Sequence, residues 1–354
     1  MLIERIYGMA LPPFGLVSDP RFFFASGTHA RAAAFLEFGL QQGMGFVVLT
    51  GDVGVGKSTV LAHLLDGLGS AEVEIASLTS SNLDPLDVLK RALAAFDVPT
   101  EAATKADLLV AFEHYLDELV RVGRRALLII DEAQNIPEAS LEELRMLTNI
   151  RRGDVCPFQC FFVGQPQFRA RLEHRDMEQL RQRVIASYHV EALGEDEVRD
   201  YVEHRLNVAG WTGRPAFDPE LFPRVHAVTR GVPRRINVVF NRLLLVGALE
   251  EREWIGVNAL DAVLDDLRGE VVSIEEPVAE TDAASAASHA AVAPKTAANG
   301  VDAARLQALG ARVEELESLV LDLVETVTRL LEPARPEAER PDEMRANRSI
   351  DRLG

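Results

Sequence analysis

Residues Gly51 to Ser58 read GDVGVGKS, a full match to the GxxxxGKS pattern, and the flanking runs limit what the chain can fold into. Gly45-Phe46-Val47-Val48-Leu49-Thr50 ahead of it is short, apolar and β-prone. Thr59-Val60-Leu61-Ala62-His63-Leu64-Leu65 behind it has helical spacing. A glycine-rich turn between a strand and a helix is the setting in which backbone N–H groups wrap a polyphosphate, with the positive helix end adding to the field. On this reading Gly51, Asp52, Val53, Gly54, Val55, Gly56, Lys57, Ser58 and Thr59 line a nucleotide. Lys57 reaches the β- and γ-phosphates, and the Ser58 hydroxyl takes Mg²⁺.

Between this loop and residue 190, strand-like and helix-like runs alternate, which predicts an α/β domain. Glu72 to Leu78 alternates like a strand, whereas Pro85 to Phe96 and Ala106 to Val122 repeat apolar residues every three or four. Ala126-Leu127-Leu128-Ile129-Ile130 is an unbroken apolar run, the pattern of a parallel strand covered on both faces. A helix over Ser140 to Asn149 and a strand over Phe158 to Gly164 follow. From about Leu193 the pattern is helical only: Glu195 to Gly210, Asp218 to Val228, Pro233 to Glu250 and Val257 to Leu267.

The expected organisation is therefore a P-loop parallel-sheet core over residues 1–190 and a small all-helical lid over 191–268. Residues 269–300, rich in Ala, Glu and Pro without periodicity, read as a flexible linker. Over 301–333, Leu306, Val313, Val320 and Val327 fall on heptad position a and Leu309, Leu316, Leu323 and Leu330 on d. β-Branched a with Leu at d favours a two-stranded parallel coiled coil, the alternative being a single amphipathic helix packed on the body. Pro333 ends it, and 334–354 read as disordered.

A net charge of −18 argues against a nucleic-acid coat, because duplex affinity comes largely from Lys and Arg neutralising phosphates. Arg124-Arg125, Arg151-Arg152, Arg181 to Arg183 and Arg234-Arg235 are the local basic candidates. Cys156 and Cys160 have no second pair for a zinc site and read as reduced thiols beside a strand. No stretch reaches about 20 apolar residues, and the start lacks a signal-peptide pattern, so the expected location is cytoplasmic, with peripheral attachment to the inner membrane through a partner.

Asp131-Glu132 closes the buried run. In a nucleotide-hydrolysing sheet Asp131 holds Mg²⁺ through water and Glu132 polarises the attacking water. The strand ending in Phe161-Phe162-Val163-Gly164-Gln165-Pro166 is expected beside the two motif strands, which puts Gln165 in reach of the γ-phosphate or that water. In Leu180-Arg181-Gln182-Arg183-Val184, Arg183 rather than Arg181 is the candidate for stabilising transition-state charge in a neighbouring subunit's site. Gly231-Val232-Pro233-Arg234-Arg235-Ile236-Asn237 opens a lid helix from which Arg234 reaches the phosphates. The competing role for each arginine is a structural ion pair.

Taken with Pro12-Pro13-Phe14, Asp19-Pro20-Arg21-Phe22-Phe23, His29 ahead of a helix and Ile130-Asp131-Glu132-Ala133-Gln134, these motifs resemble the ExeA/GspA group of AAA+ ATPases over about residues 1–268. The resemblance implies an ATP-driven motor or switch, with ATP and Mg²⁺ at Lys57, Ser58, Asp131 and Glu132, associated with bacterial secretion and envelope assembly. Typical members continue into a membrane helix and a periplasmic peptidoglycan-binding part, patterns absent from these 354 residues. The chain is closer to the branch found with exosortase and exopolysaccharide (PEP-CTERM) systems, which similarly ends in a coiled coil. Gln165 departs from the Asn or Thr that many AAA+ proteins carry at the sensor position.

Three functions follow as expectations. The first is an ATPase that assembles or energises an envelope secretion or polysaccharide-export apparatus. The others are a DNA-acting helper ATPase of transposition or replication, and a slow nucleotide-dependent scaffold. Self-association is expected through AAA+ faces and the coiled coil, and a trimer of dimers satisfies both.

Overall fold

The computed structural model describes residues 2–15, 17–68, 72–79, 84–100 and 104–275. In chain order the elements are α1 (Leu2–Tyr7), α2 (Gly27–Gln42), β1 (Phe46–Gly51), α3 (Lys57–Asp66), β2 (Val73–Thr79), α4 (Pro85–Ala95), α5 (Lys105–Arg121) and β3 (Arg125–Asp131). There follow α6 (Glu138–Leu147), β4 (Phe158–Gly164), α7 (Pro166–Leu172), α8 (Glu178–Arg181), β5 (Val184–Val190) and α9 (Glu195–Val208). The last are β6 (Ala216–Phe217), α10 (Leu221–Thr229), α11 (Pro233–Leu249), β7 (Trp254–Ile255) and α12 (Val257–Glu275). Met1–Asp266 form one compact unit; of the second, Leu267–Gly354, only the helical stretch through residue 275 is described.

The sheet is wholly parallel, in the order β2-β3-β4-β1-β5. Its composition follows from position. Central β1 and β4 are buried at every residue, whereas edge strand β2 alternates buried and exposed. Because successive side chains point to opposite faces, the strands feed two cores. Phe46, Val48, Leu128, Ile130 and Phe162 pack toward α4 to α8, while Val47, Leu49, Leu127, Ile129 and Phe161 meet α2 and α3. Phe162 sits between the rings of Phe46 and Phe168, at centroid distances of 5.0 and 5.5 Å. Cys156 and Cys160 are free and buried.

Register sets the site. Thr50 pairs with Gly164 and Thr79 with Asp131, so the ends of β1, β4 and β3 finish along one edge of the sheet. That carboxyl edge is where open α/β sheets bind ligands.

Two findings correct the expected organisation. The lid is not helix alone: β6 and β7 form a two-stranded parallel ladder, with Ala216 opposite Trp254 and Phe217 opposite Ile255. The stretch is too short for its period to show in the sequence. The helix from Val257 also runs to Glu275, past the expected linker start at 269. Leu264, Leu267, Val271 and Ile274 keep helical spacing, and Pro277 is the first stop signal. The rest of the expected linker, the heptads over 301–333 and the tail lie outside the described residues.

Residues 2–15 and 17–26 run as a strap that joins the two halves of the compact unit. α1 packs on α11, and the Ala10 N–H donates to the Ala209 carbonyl at 2.7 Å. Phe23 stacks on His63 of α3 at 3.9 Å, while Phe24 packs edge-on to Tyr201 of α9.

Candidate functional site

The phosphate loop is shaped by its glycines. Gly54 and Gly56 adopt φ of +81° and +102°, in the region where a side chain is strained. Space forbids one as well. A Cβ on Gly54 would lie 2.7 Å from the Arg234 Cβ, and one on Gly56 would lie 2.6 Å from His29 Nε2. Gly56 caps α3 as its left-handed N-cap, so the loop passes straight into the helix, with Lys57, Ser58 and Thr59 in its first turn. Lys57 Nζ donates to the carbonyls of Gly51 and Asp52, each at 2.8 Å, which holds the ammonium over the loop.

The lid docks on this loop. The Arg234 backbone N–H donates to the Gly54 carbonyl at 3.1 Å, so α11 begins against the glycine turn. Arg234, Lys57, Ser58 and Thr59 line one cleft of about 150 Å³, to which Gly15, Val17, Ser18 and Asp19 of the strap and Tyr201 and Arg205 of α9 also contribute. Arg205 is buried; it donates to the Pro13 carbonyl at 2.6 Å and to the Tyr201 hydroxyl at 3.2 Å, and lies 4.7 Å over the Phe22 ring.

Asp131 ends β3 and accepts the Glu132 N–H at 2.9 Å. Burial pushes its carboxyl above the usual range and neighbouring Glu132 adds to that, while the Glu132 N–H and Lys57 favour the charged form. A carboxylate and a serine hydroxyl are hard oxygen donors and fit Mg²⁺, which keeps several waters and takes few protein ligands. Among the described residues no group of three or more His, Cys, Asp or Glu could hold a metal by itself. Asp131 and Ser58 would therefore hold Mg²⁺ jointly with phosphate oxygens, and the ion would supply charge neutralisation.

Gln165 N-caps α7 at the end of β4, the strand between β1 and β3. Its amide nitrogen donates to Glu132 Oε2 at 3.3 Å. The residues Gly51 to Thr59, Asp131, Glu132, Gln165 and Arg234 thus gather at one edge of the unit. Arg183 does not. It precedes Val184, which pairs with Phe46 at the opposite end of β1, roughly 16 Å of strand from Gly51 at about 3.3 Å per residue. Its guanidinium donates to the Asn149 side chain.

The motif reading gave no role to His29 and Gln134, although both stood among the residues carrying the resemblance. His29 is buried, with Nε2 2.7 Å from the Val55 carbonyl and Nδ1 2.6 Å from Ser26 Oγ. A carbonyl only accepts, so Nε2 carries the proton and Nδ1 accepts from the serine. Burial lowers the His29 pKa below its usual value, against the Val55 bond and Glu197, which pull it up. The ring is held neutral as a strut under the loop.

We expect His29→Ala to orphan the Val55 carbonyl, at a cost of about 1–3 kcal/mol, and to weaken nucleotide binding about tenfold. Equilibrium melts and nucleotide titration check both. Because the folded-state pKa is depressed, the stability held by neutral His29 is full above the ordinary value of about 6.5 and is lost as pH falls from there through the folded value. His29→Gln should lack that acid-side loss when melts at pH 7.5 and 5.5 are compared with wild type.

Comparison with known proteins agrees with this geometry. Residues 40–172 match the AAA domain model. Over 246 residues, 69% of this chain and 44% of the relative, the sequence is 36% identical to general secretion pathway protein A of Aeromonas hydrophila. The match thus spans less than half of that relative's length. Two solved structures share the fold. The ORC2 protein of Aeropyrum pernix, in ADPNP–ADP complexes, is 17% identical with a TM-score of 0.54, covering 74% of this chain and 78% of that one. Cdc6p of Pyrobaculum aerophilum is 14% identical with a TM-score of 0.55, covering 74% and 75%. With its loop, strand order and lid in this arrangement, the chain carries an AAA domain of the P-loop α/β fold and is similar in sequence to general secretion pathway protein A.

Proposed function

We propose that this protein is a Mg²⁺-dependent ATPase whose turnover drives or switches assembly of a bacterial envelope secretion system. The observation that carries the reading is convergence. Lys57, Ser58 and Arg234 line one cleft, and Asp131 and Glu132 stand at the carboxyl edge of the sheet within the field of Lys57, so three separate segments of one compact unit meet there. Lys57 and Arg234 meet the phosphates, Ser58 and Asp131 hold the ion, and Glu132 orients the water. Gln165 bonds to Glu132 and is the polar sensor.

The secretion role draws on similarity to general secretion pathway protein A, and the exosortase or polysaccharide-export setting on the motifs and heptads. Among the described residues no helix is long and apolar enough to cross a membrane, which suits attachment through a partner at the cytoplasmic face. Arg183 acts in trans, since it stands at the far end of the sheet from its own loop. Deleting residues 301–333 should lower the oligomer mass by light scattering and leave nucleotide affinity unchanged; unchanged mass would exclude a coiled coil.

The test is steady-state ATP hydrolysis by the purified chain, alone and with duplex DNA. Turnover that ignores DNA supports a secretion ATPase triggered by an envelope partner. Stimulation of tenfold or more by DNA would overturn that reading in favour of a DNA-acting helper.

A further inference from the structure

Glu132 lies just beyond β3 with φ 52° and ψ 42°, a left-handed conformation uncommon for a residue with a long side chain. The turn Ala133–Asn135 then brings Gln134 back over it. Gln134 Nε2 donates to Glu132 Oε2, and Gln134 Oε1 accepts the backbone N–H of Gln165 at 3.0 Å. Gln165 Nε2 donates to the same Glu132 oxygen. The orientation of the Gln134 amide is fixed by chemistry: the Gln165 N–H can only donate, so the amide oxygen faces it and the nitrogen faces the carboxylate. The backbone leaves room for this. A Cβ on Gly164 would lie 3.1 Å from Gln134 Oε1 and 3.3 Å from the Phe168 Cβ. Two amides, from the ends of two adjacent strands, therefore converge on one carboxylate oxygen, Glu132 Oε2.

We propose that Gln134 is a positioning residue for hydrolysis: it locks the rotation of the Glu132 carboxylate and ties it to the strand that carries Gln165. The inference rests on the ATPase reading above. A glutamate side chain has three rotatable bonds, and only a narrow set of their positions aims the carboxylate at an attacking water. Displacing a reacting group by about 1 Å can cost on the order of 100-fold in rate. Gln134 makes no contact with the phosphate loop in this network, so its loss should touch kcat and spare nucleotide binding.

The test uses the full chain with Gln134→Met, which keeps length and removes the amide, and Gln134→Glu, which keeps shape, cannot donate to Glu132 and sets a like charge beside it. Each is made in the wild-type and the Glu132→Gln backgrounds. The readouts are kcat and KM for MgATP, affinity for a fluorescent ATP analogue, and the thermal midpoint. We expect kcat to fall roughly 10- to 100-fold in both variants, with KM and analogue affinity within about twofold. In the Glu132→Gln background Gln134→Met should cost nothing further, because it acts through the missing carboxylate.

A wild-type kcat in either folded variant would overturn the proposal, as would an equal additional loss on top of Glu132→Gln. If Gln134→Met loses its thermal transition, Gln134→Glu decides. A wild-type chain that binds but never hydrolyses ATP would sink the ATPase reading itself, which separates the two failures.

Discussion

Lys57→Ala should lose nucleotide binding by 100-fold or more. The ammonium stands at the first residue of α3, held over the loop by two carbonyls, and it is the point charge that a polyphosphate meets there. Hydrogen bonds to a charged partner are each worth about 1.5–3 kcal/mol, so losing two removes about 3–6 kcal/mol, two or more decades of affinity. Alanine suits a helix start, so the fold should hold. Arginine should not rescue, because its planar fork is longer and bulkier than the ammonium it replaces. Titration of a fluorescent ATP analogue checks the first point and a melt the second. Affinity within about threefold of wild type would remove Lys57 from the site.

Glu132→Gln should have the opposite signature: nucleotide is bound as tightly as before and turnover falls by about 10²- to 10⁴-fold, the span of a general base. The substitution is mild in shape. The new carboxamide oxygen can still accept from Gln134 and Gln165, so the clamp survives while the negative charge that polarises water is gone. The bound nucleotide should then be recovered as ATP rather than ADP after gel filtration. Turnover at the wild-type rate would move the catalytic base elsewhere.

Much of this site could be read from the chain because its chemistry is local. GDVGVGKS is contiguous, and its flanks declare strand and helix; the Ala126 to Ile130 run ends on Asp131-Glu132, which places the acidic pair at a strand end. The expected neighbour of those strands, ending in Gln165, does fall between them as β4. What escaped was set by distant contacts. That β5 pairs with β1 at the edge depends on strand pairing across nearly 140 residues, and with it the placement of Arg183 at the far end of the sheet.

The strap of residues 9 to 26 is short on periodicity and rich in Pro and Phe, and its meaning appears only when Arg205 of α9 grips Pro13 and Phe22. Gln134 looked like one more polar residue after a strand. Its role comes from the left-handed turn at Glu132 and the bare α-carbon of Gly164, neither of which has a sequence period. Residues 269–300 read as a linker from their Ala, Glu and Pro content, yet the apolar spacing of the helix from Val257 continues to Ile274.

The central claim is that Lys57, Ser58, Asp131 and Glu132 form one Mg²⁺-dependent hydrolytic site. Phosphate release from ATP by the full chain, followed with Mg²⁺ and with excess chelator beside Lys57→Ala and Glu132→Gln, tests it most directly. The account predicts steady release that requires Mg²⁺ and falls by about 100-fold or more in both variants, for lack of binding in the first and lack of chemistry in the second. Release that persists in chelator, or that stays near the wild-type rate in either variant, would contradict it.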